Sequence, residues 1–355
     1  MKDLLRIMIF LSIILIVFFY FDSSIEENEI LEAPQTQDPL PAQDLVENPL
    51  DVERPVEGLS TYIGNPAEDW LLDYGEPSRI EPSAFGYEWW VYDASYSNYI
   101  LAGVKDGNIV QVYTAGTATN AAPYKIGQTL DDLYRFTIIE NEITVKYGTS
   151  IYIFSLSADD VNKRLLISFD GVYAQLYIDE EDRKLEAVRF MDAETLIRHQ
   201  PYDMMFSGDL LPVITPSSSL QQSIDEANAK QIIDLTNVYR LHHQKNPLSV
   251  NPSVSMLAKE HSRNTAKKNF SAEGEIELKS LDERLTAANI VFEEAAENTA
   301  TQYSDAAEAV HGWINSSSHR ETLLSSRFDQ IGVGVYGKYY TQNFLRQESS
   351  NSEQQ

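Results

Sequence analysis

The chain has 355 residues, 43% of them hydrophobic, which leaves room for roughly two domains, each with its own core. Its formal net charge of −27, from 54 acidic and 27 basic side chains, argues against nucleic-acid partners and against docking on anionic lipid headgroups, since both need clustered Lys and Arg. There is no cysteine, which excludes disulfides, thiolate nucleophiles and Cys-ligated zinc.

Lys2 and Arg6 flank the start of an almost unbroken apolar run, Ile7 to Phe21. With Leu4 and Leu5 it approaches the ~20 residues that span a bilayer as a helix. A cleaved signal peptide would have a shorter apolar core and small residues at the cut. Here the run ends in Phe18, Phe19, Tyr20 and Phe21, so residues 1–21 are expected to be an uncleaved anchor. Lys2 and Arg6 would stay cytoplasmic, which puts the bulk of a single-pass chain outside the membrane. Residues 22–58 are rich in Asp, Glu and Pro, and only Arg54 opposes the acid. Low hydrophobicity and self-repulsion predict an extended spacer there.

Residues 59–205 alternate aromatic and β-branched runs with turn signals, as in "YEWWVYDA", "NYILAGVKDGNIVQVYTAG" and "RLLISFDGVYAQLYI". Lys105–Asn108 and Asp179–Asp182 suggest hairpin turns, and Asp170–Gly171 a turn or a bulge. A repeat is visible: Ile63–Gly64 and Ile126–Gly127 each precede a short acidic amphipathic helix, with Trp70 or Leu133 at a similar offset, and then several strands. Two helix-plus-meander units would make an α+β domain. Trp89 and Trp90 should face opposite sides of one strand, so at least one is core. His199 is the region's only histidine.

In residues 216–347, Ile224, Ala227, Gln231, Leu235, Val238 and His242 fall at helical spacing. Asn251 followed by Pro252 signals the start of a second helix, with stripe Val254, Leu257, Ala258, His261 and Thr265. Helices are expected around "SLDERLTAAN" and "SDAAEAVHGWINS", then paired strands "QIGVGVYG" and "YYTQNFL". On the helical stripe His261 reads as a satisfied core histidine. His311 reads as a packing or surface residue, and His242 and His243 as helix-terminal cations.

Glu297–Asn298, Trp313, Ser316, His319–Arg320, Ile331–Gly334 and Thr341–Phe344 follow one another in the order and spacing of the bacterial CAP domain. This region therefore resembles the family of cysteine-rich secretory, antigen 5 and pathogenesis-related proteins. Residues 59–205 more loosely resemble the CAP-associated N-terminal domain of membrane-anchored Gram-positive proteins. The resemblance implies an α-β-α sandwich with a small antiparallel sheet. It also implies a cleft lined by two histidines and acidic residues, which in some members holds zinc.

Glu297 and His319 match two of those cleft positions, with Asn298 beside them. The first histidine is expected after Phe270–Ser271, where Ala272 stands instead. Asn315, Ser316 and Ser317 occupy the region of the second cleft glutamate, so that role is not carried over. Zinc sites need at least three protein ligands, so Glu297 and His319 alone would bind metal weakly, even with a carboxylate from Glu273 or Glu275. Glu297 and His319 could instead form an acid–base couple. No nucleophile accompanies them, since Gly-x-Ser-x-Gly and Ser-x-x-Lys are both absent. The expectation is thus non-enzymatic binding of an envelope lipid, peptide, glycan or protein, without a required cofactor. A metal-dependent hydrolase of envelope material and a structural scaffold are the alternatives.

Overall fold

The computed structural model describes residues 24–42, 52–270 and 277–347. The expected anchor and the Ala272–Glu273 loop lie outside the described residues. Among the described residues, no helix is long and apolar enough to cross a membrane.

The middle region is built around a seven-stranded antiparallel sheet. One half is a meander of β4 (Arg79–Pro82), β5 (Glu88–Tyr92), β6 (Ile100–Lys105) and β7 (Asn108–Thr114). The other half is β10 (Arg164–Phe169), β11 (Val172–Asp179) and β12 (Lys184–Met191). The halves join through the antiparallel pair β7–β12, with Val188 opposite Thr114. The expected repeat is present in atomic detail. Helices α1 (Ala67–Tyr74) and α2 (Leu130–Phe136) each dock on a hairpin turn. Gly64 N–H donates to Ile109 O and Gly127 N–H to Leu185 O, both at 2.7 Å. Both glycines sit at φ +85°, a conformation side chains rarely adopt. Trp70 and Leu133 are the buried anchors of the two helices. Asp170–Gly171 is a tight turn between β10 and β11, with Gly171 at φ +69°. A smaller sheet carries β8 (Glu142–Tyr147), β9 (Ser150–Ser155) and β13 (Asp203–Ser207). Helices α3 (Ala158–Lys163) and α4 (Ala193–His199) complete the region.

The C-terminal region places helices on both faces of a sheet ordered β15–β17–β16–β14. Its strands are β14 (Ser249–Val250), β15 (Glu294–Thr301), β16 (Gln330–Tyr336) and β17 (Tyr339–Arg346). On one face lie α5 (Ser218–His242), α8 (Ala306–Ile314) and α9 (Ser317–Leu324), and on the other α6 (Pro252–Phe270) and α7 (Leu281–Ala287). The expected start of α6 is confirmed: Asn251 Oδ1 accepts the N–H groups of Ser253 and Val254 at 3.1 and 3.2 Å. Helix α6 lies against β16 so closely that a Cβ on Gly334 would sit 1.9 Å from Lys259 N.

The two regions share a core. Tyr87, Trp89, Val91 and Tyr113, on one face of the large sheet, join a single apolar cluster with Leu235, Tyr239, Val310 and Trp313. Trp90, on the opposite face, packs into the middle region's own core. Ion pairs also cross the joint, the first two buried and the third partly exposed. Arg189 donates to Asp305 at 2.7 Å, Arg320 to Asp179 at 2.6 Å and Arg79 to Asp234 at 2.6 Å.

The expected free spacer is corrected for residues 24–42. Strand β1 (Ser24–Glu27) pairs in parallel with β15, Glu27 opposite Glu297, and β2 (Leu31–Glu32) continues along Ala300 and Thr301. Strand β3 (Leu40–Pro41) pairs with β13. Composition sets the entropy of ordering a free acidic segment. It does not register that β15 is otherwise the edge strand of its sheet, with backbone groups open to a partner.

Candidate functional site

Strand alternation divides the expected cleft residues. Ala295, Glu297 and Thr299 of β15 face α6 and α7, while Ala296, Asn298 and Ala300 face α8 and α9. Glu297 is buried and accepts from Arg284 Nη2 at 2.7 Å, and its other oxygen lies 3.5 Å from His261 Nε2. His319 belongs to the opposite side. Its backbone carbonyl accepts from Asn298 Nδ2 at 3.0 Å. Its Nε2 donates to Glu29 O, and its Nδ1 accepts from Ser316 Oγ, both at 2.8 Å. The ring is therefore a neutral tautomer with both nitrogens engaged, and burial lowers its pKa, which the Glu29 carbonyl partly offsets. The acid–base couple that Glu297 and His319 could have formed is not made: no hydrogen bond or ion pair joins them among the described residues.

The histidine near Glu297 is instead His261, buried on its helix as the apolar stripe suggested. Burial, reinforced by Arg284, lowers the His261 pKa to about 3 and keeps its ring neutral. Burial raises the Glu297 carboxyl to about 7; Arg284 opposes the shift, and the neighbouring Glu27 carboxylate adds to it. Desolvation thus outweighs a close ion pair here. Among the buried polar atoms on this face without partners among the described residues are Arg284 Nη1 and both amide atoms of Asn343, directly opposite Glu297 in the ladder. A cavity of about 380 Å³ opens at Arg284, lined also by Leu257, His261, Asn264, Lys279 and Ala288 among others. Sequence spacing missed Arg284 and Asn343 because neither lies near Glu297 in the chain. The sequence signal available for Arg284 was its place directly after the Ser280–Glu283 capping box that starts α7.

The remaining histidines are structural. His199 lies between Arg189 Nη1 at 3.0 Å and Tyr87 OH at 3.1 Å, and stacks on Phe85. His311 is buried, donates to Lys163 O at 2.9 Å, and is lowered to about 4 by burial. His242 and His243 face Glu186, Asp179 and Asp182 across the joint. Asp179, Glu186 and His243 bring ligand atoms within 4.8 Å of one another, but Arg320 already places a cation on Asp179. Nor do Glu297 and His319 suit the zinc held by some family members. They are separated, and neither His319 nitrogen has a free lone pair.

Two family models match parts of the chain. Residues 63–202 match the CAP-associated N-terminal model, and residues 233–347 match the cysteine-rich secretory protein family model, the CAP domain. The Bacillus subtilis membrane protein YlbC is 34% identical over 98% of this chain and 99% of its own length. The chain belongs to the CAP family. A second B. subtilis protein, YkwD, is 29% identical over 37% of this chain and 52% of its own length. Among solved structures, an extracellular SCP-domain protein from Bacillus anthracis superposes with a TM-score of 0.76 at 38% identity, covering 85% of this chain and all of its own. A cysteine-rich secretory protein from Staphylococcus aureus gives 0.73 at 25% identity, over 88% of this chain and all of its own.

Proposed function

We propose that this CAP protein is a single-pass, membrane-anchored binding protein that captures an envelope partner in its CAP groove without turnover. The observation that carries the reading is the state of His319. Both of its nitrogens are engaged, one by the chain's own Glu29 carbonyl, so the residue is arranged to hold a backbone rather than to move protons or bind a metal. Glu297 points away from it into an Arg284 pair, and the chain carries no Cys, no Gly-x-Ser-x-Gly and no Ser-x-x-Lys. The anchor reading of residues 1–21 supports placement outside the membrane. The relative YlbC is called a membrane protein and the B. anthracis neighbour an extracellular one, which fits that placement.

One observation favours a second reading, hydrolysis of envelope material. A carboxyl held near 7 beside a neutral imidazole, as in Glu297 and His261, suits general acid–base chemistry. Calorimetric zinc titration of the wild type beside Ala272→His, with turnover of cell-wall fragments followed in parallel, separates the two. Binding without turnover predicts a wild type silent to zinc and no cleavage. Chelator-sensitive cleavage that Glu297→Gln abolishes would overturn it.

A further inference from the structure

Strand β15 would be the outer strand of its sheet were it not for residues 24–33 of the same chain. Backbone pairing accounts for only part of that docking. Arg327 Nη2 donates to Glu26 at 2.9 Å. Leu281 N–H donates to the Glu27 carboxylate at 2.8 Å. Asn28 Nδ2 donates to Asn298 Oδ1 at 2.8 Å and to Thr322 Oγ1 at 2.9 Å. His319 donates to the Glu29 carbonyl at 2.8 Å. Four consecutive residues are thus each met by a different group of the CAP domain, and that is more than an inert spacer requires.

We propose that the β15 edge is a strand-accepting site that recognises an acidic, asparagine-containing extended segment of a partner protein, and that residues 24–33 are its built-in, displaceable occupant. This names the partner class for the binding reading above and rests on it. Pairing supplies affinity that is blind to sequence, and the four side-chain and carbonyl contacts supply selectivity. The occupant carries Glu26, Glu27, Glu29 and Glu32 and no basic residue, so it complements Arg327. It is displaceable because its strands have four and two residues, and Ile25 and Leu31 are only partly buried. Most of its hold is hydrogen bonding, which trades against water. Tethering in cis raises its local concentration, so a partner must outcompete it.

The test uses the full chain in detergent micelles and a fluorescein-labelled peptide of sequence SIEENEILEA, read by anisotropy. Ile25→Cys with Ala295→Cys, at paired positions in a chain without cysteine, locks the strap when oxidised. Expected are closure of the disulfide, no peptide binding while locked, and binding after reduction in a chain that also carries Asn28→Ala to loosen its own strap. A peptide with Asn28 replaced by alanine should bind roughly tenfold more weakly, having lost two hydrogen bonds. The proposal is overturned if the cysteines do not close, if locked and loosened chains bind the peptide alike, if the loosened chain binds none, or if a scrambled peptide binds as well. Turnover is not read here, so failure would leave binding without turnover to be judged by the zinc and cleavage experiment alone.

Discussion

Glu297→Gln is the most informative single substitution. In the folded chain the carboxyl keeps its proton until about pH 7, whereas its ordinary value is 4.5. Between those values the folded state binds more protons than the unfolded one, so stability falls as pH rises through that window. The difference is worth roughly 3 kcal/mol at about 1.4 kcal/mol per pH unit. Glutamine keeps the Arg284 contact and does not titrate. His261 carries the opposite sign: held near 3, below its ordinary 6.5, it contributes stability that is complete above 6.5 and lost as pH falls towards 3. It is present in both proteins and largely cancels in the comparison. Urea unfolding of residues 22–355 at pH 4.5 and pH 8.5 should therefore show the variant gaining about 3 kcal/mol on the wild type at the higher pH. That is a relative shift in midpoint of roughly 1 M for a steep transition of about 3 kcal/mol per M. A wild-type-to-variant difference that stays constant across the range would refute the claim that burial, rather than Arg284, sets the state of this carboxyl.

Arg320→Met leaves the fully buried Asp179 without its closest cation and should cost about 3–5 kcal/mol by urea unfolding, with faster proteolysis between the two domains. A loss under about 1 kcal/mol would refute the reading that Arg320 is the cation Asp179 depends on. Gly334→Ala drives a Cβ into the backbone of α6 at Lys259 and should destabilise by at least about 3 kcal/mol, seen as a large drop in Tm or insoluble expression. Gly64→Ala and Gly127→Ala have open space for the new methyl and strain only the backbone. Each should cost about 1 kcal/mol, and near-equal values would verify the internal repeat energetically.

Much of this protein follows from local pattern. Asn251–Pro252 starts α6 because a side-chain cap and a fixed φ act within one turn of chain. Ile63–Gly64 and Ile126–Gly127 mark the repeat because only glycine sits easily at that φ. Glu297–Asn298, the Trp313 to Arg320 run and Ile331–Gly334 carry the CAP resemblance because close packing leaves little choice of residue there, as Gly334 against Lys259 illustrates. The site was less legible. Glu297 and His319 were rightly placed in one domain, yet the pleat of β15 sends Glu297 to one face and Asn298, with its His319 contact, to the other. His261 lay on an apolar stripe and drew the core reading, since periodicity reports which face is buried and not what it is buried against. Arg284 reaches Glu297 only through the packing of α7 on β15. The acidic N-terminal segment shows the division most plainly. Its composition determines that it cannot fold alone, but whether it stays free depends on an unpaired strand edge more than 260 residues away in sequence, at Glu294–Thr301. Local propensity is written in the order of the residues, whereas partners for orphan backbone groups exist only once the chain has brought distant strands together.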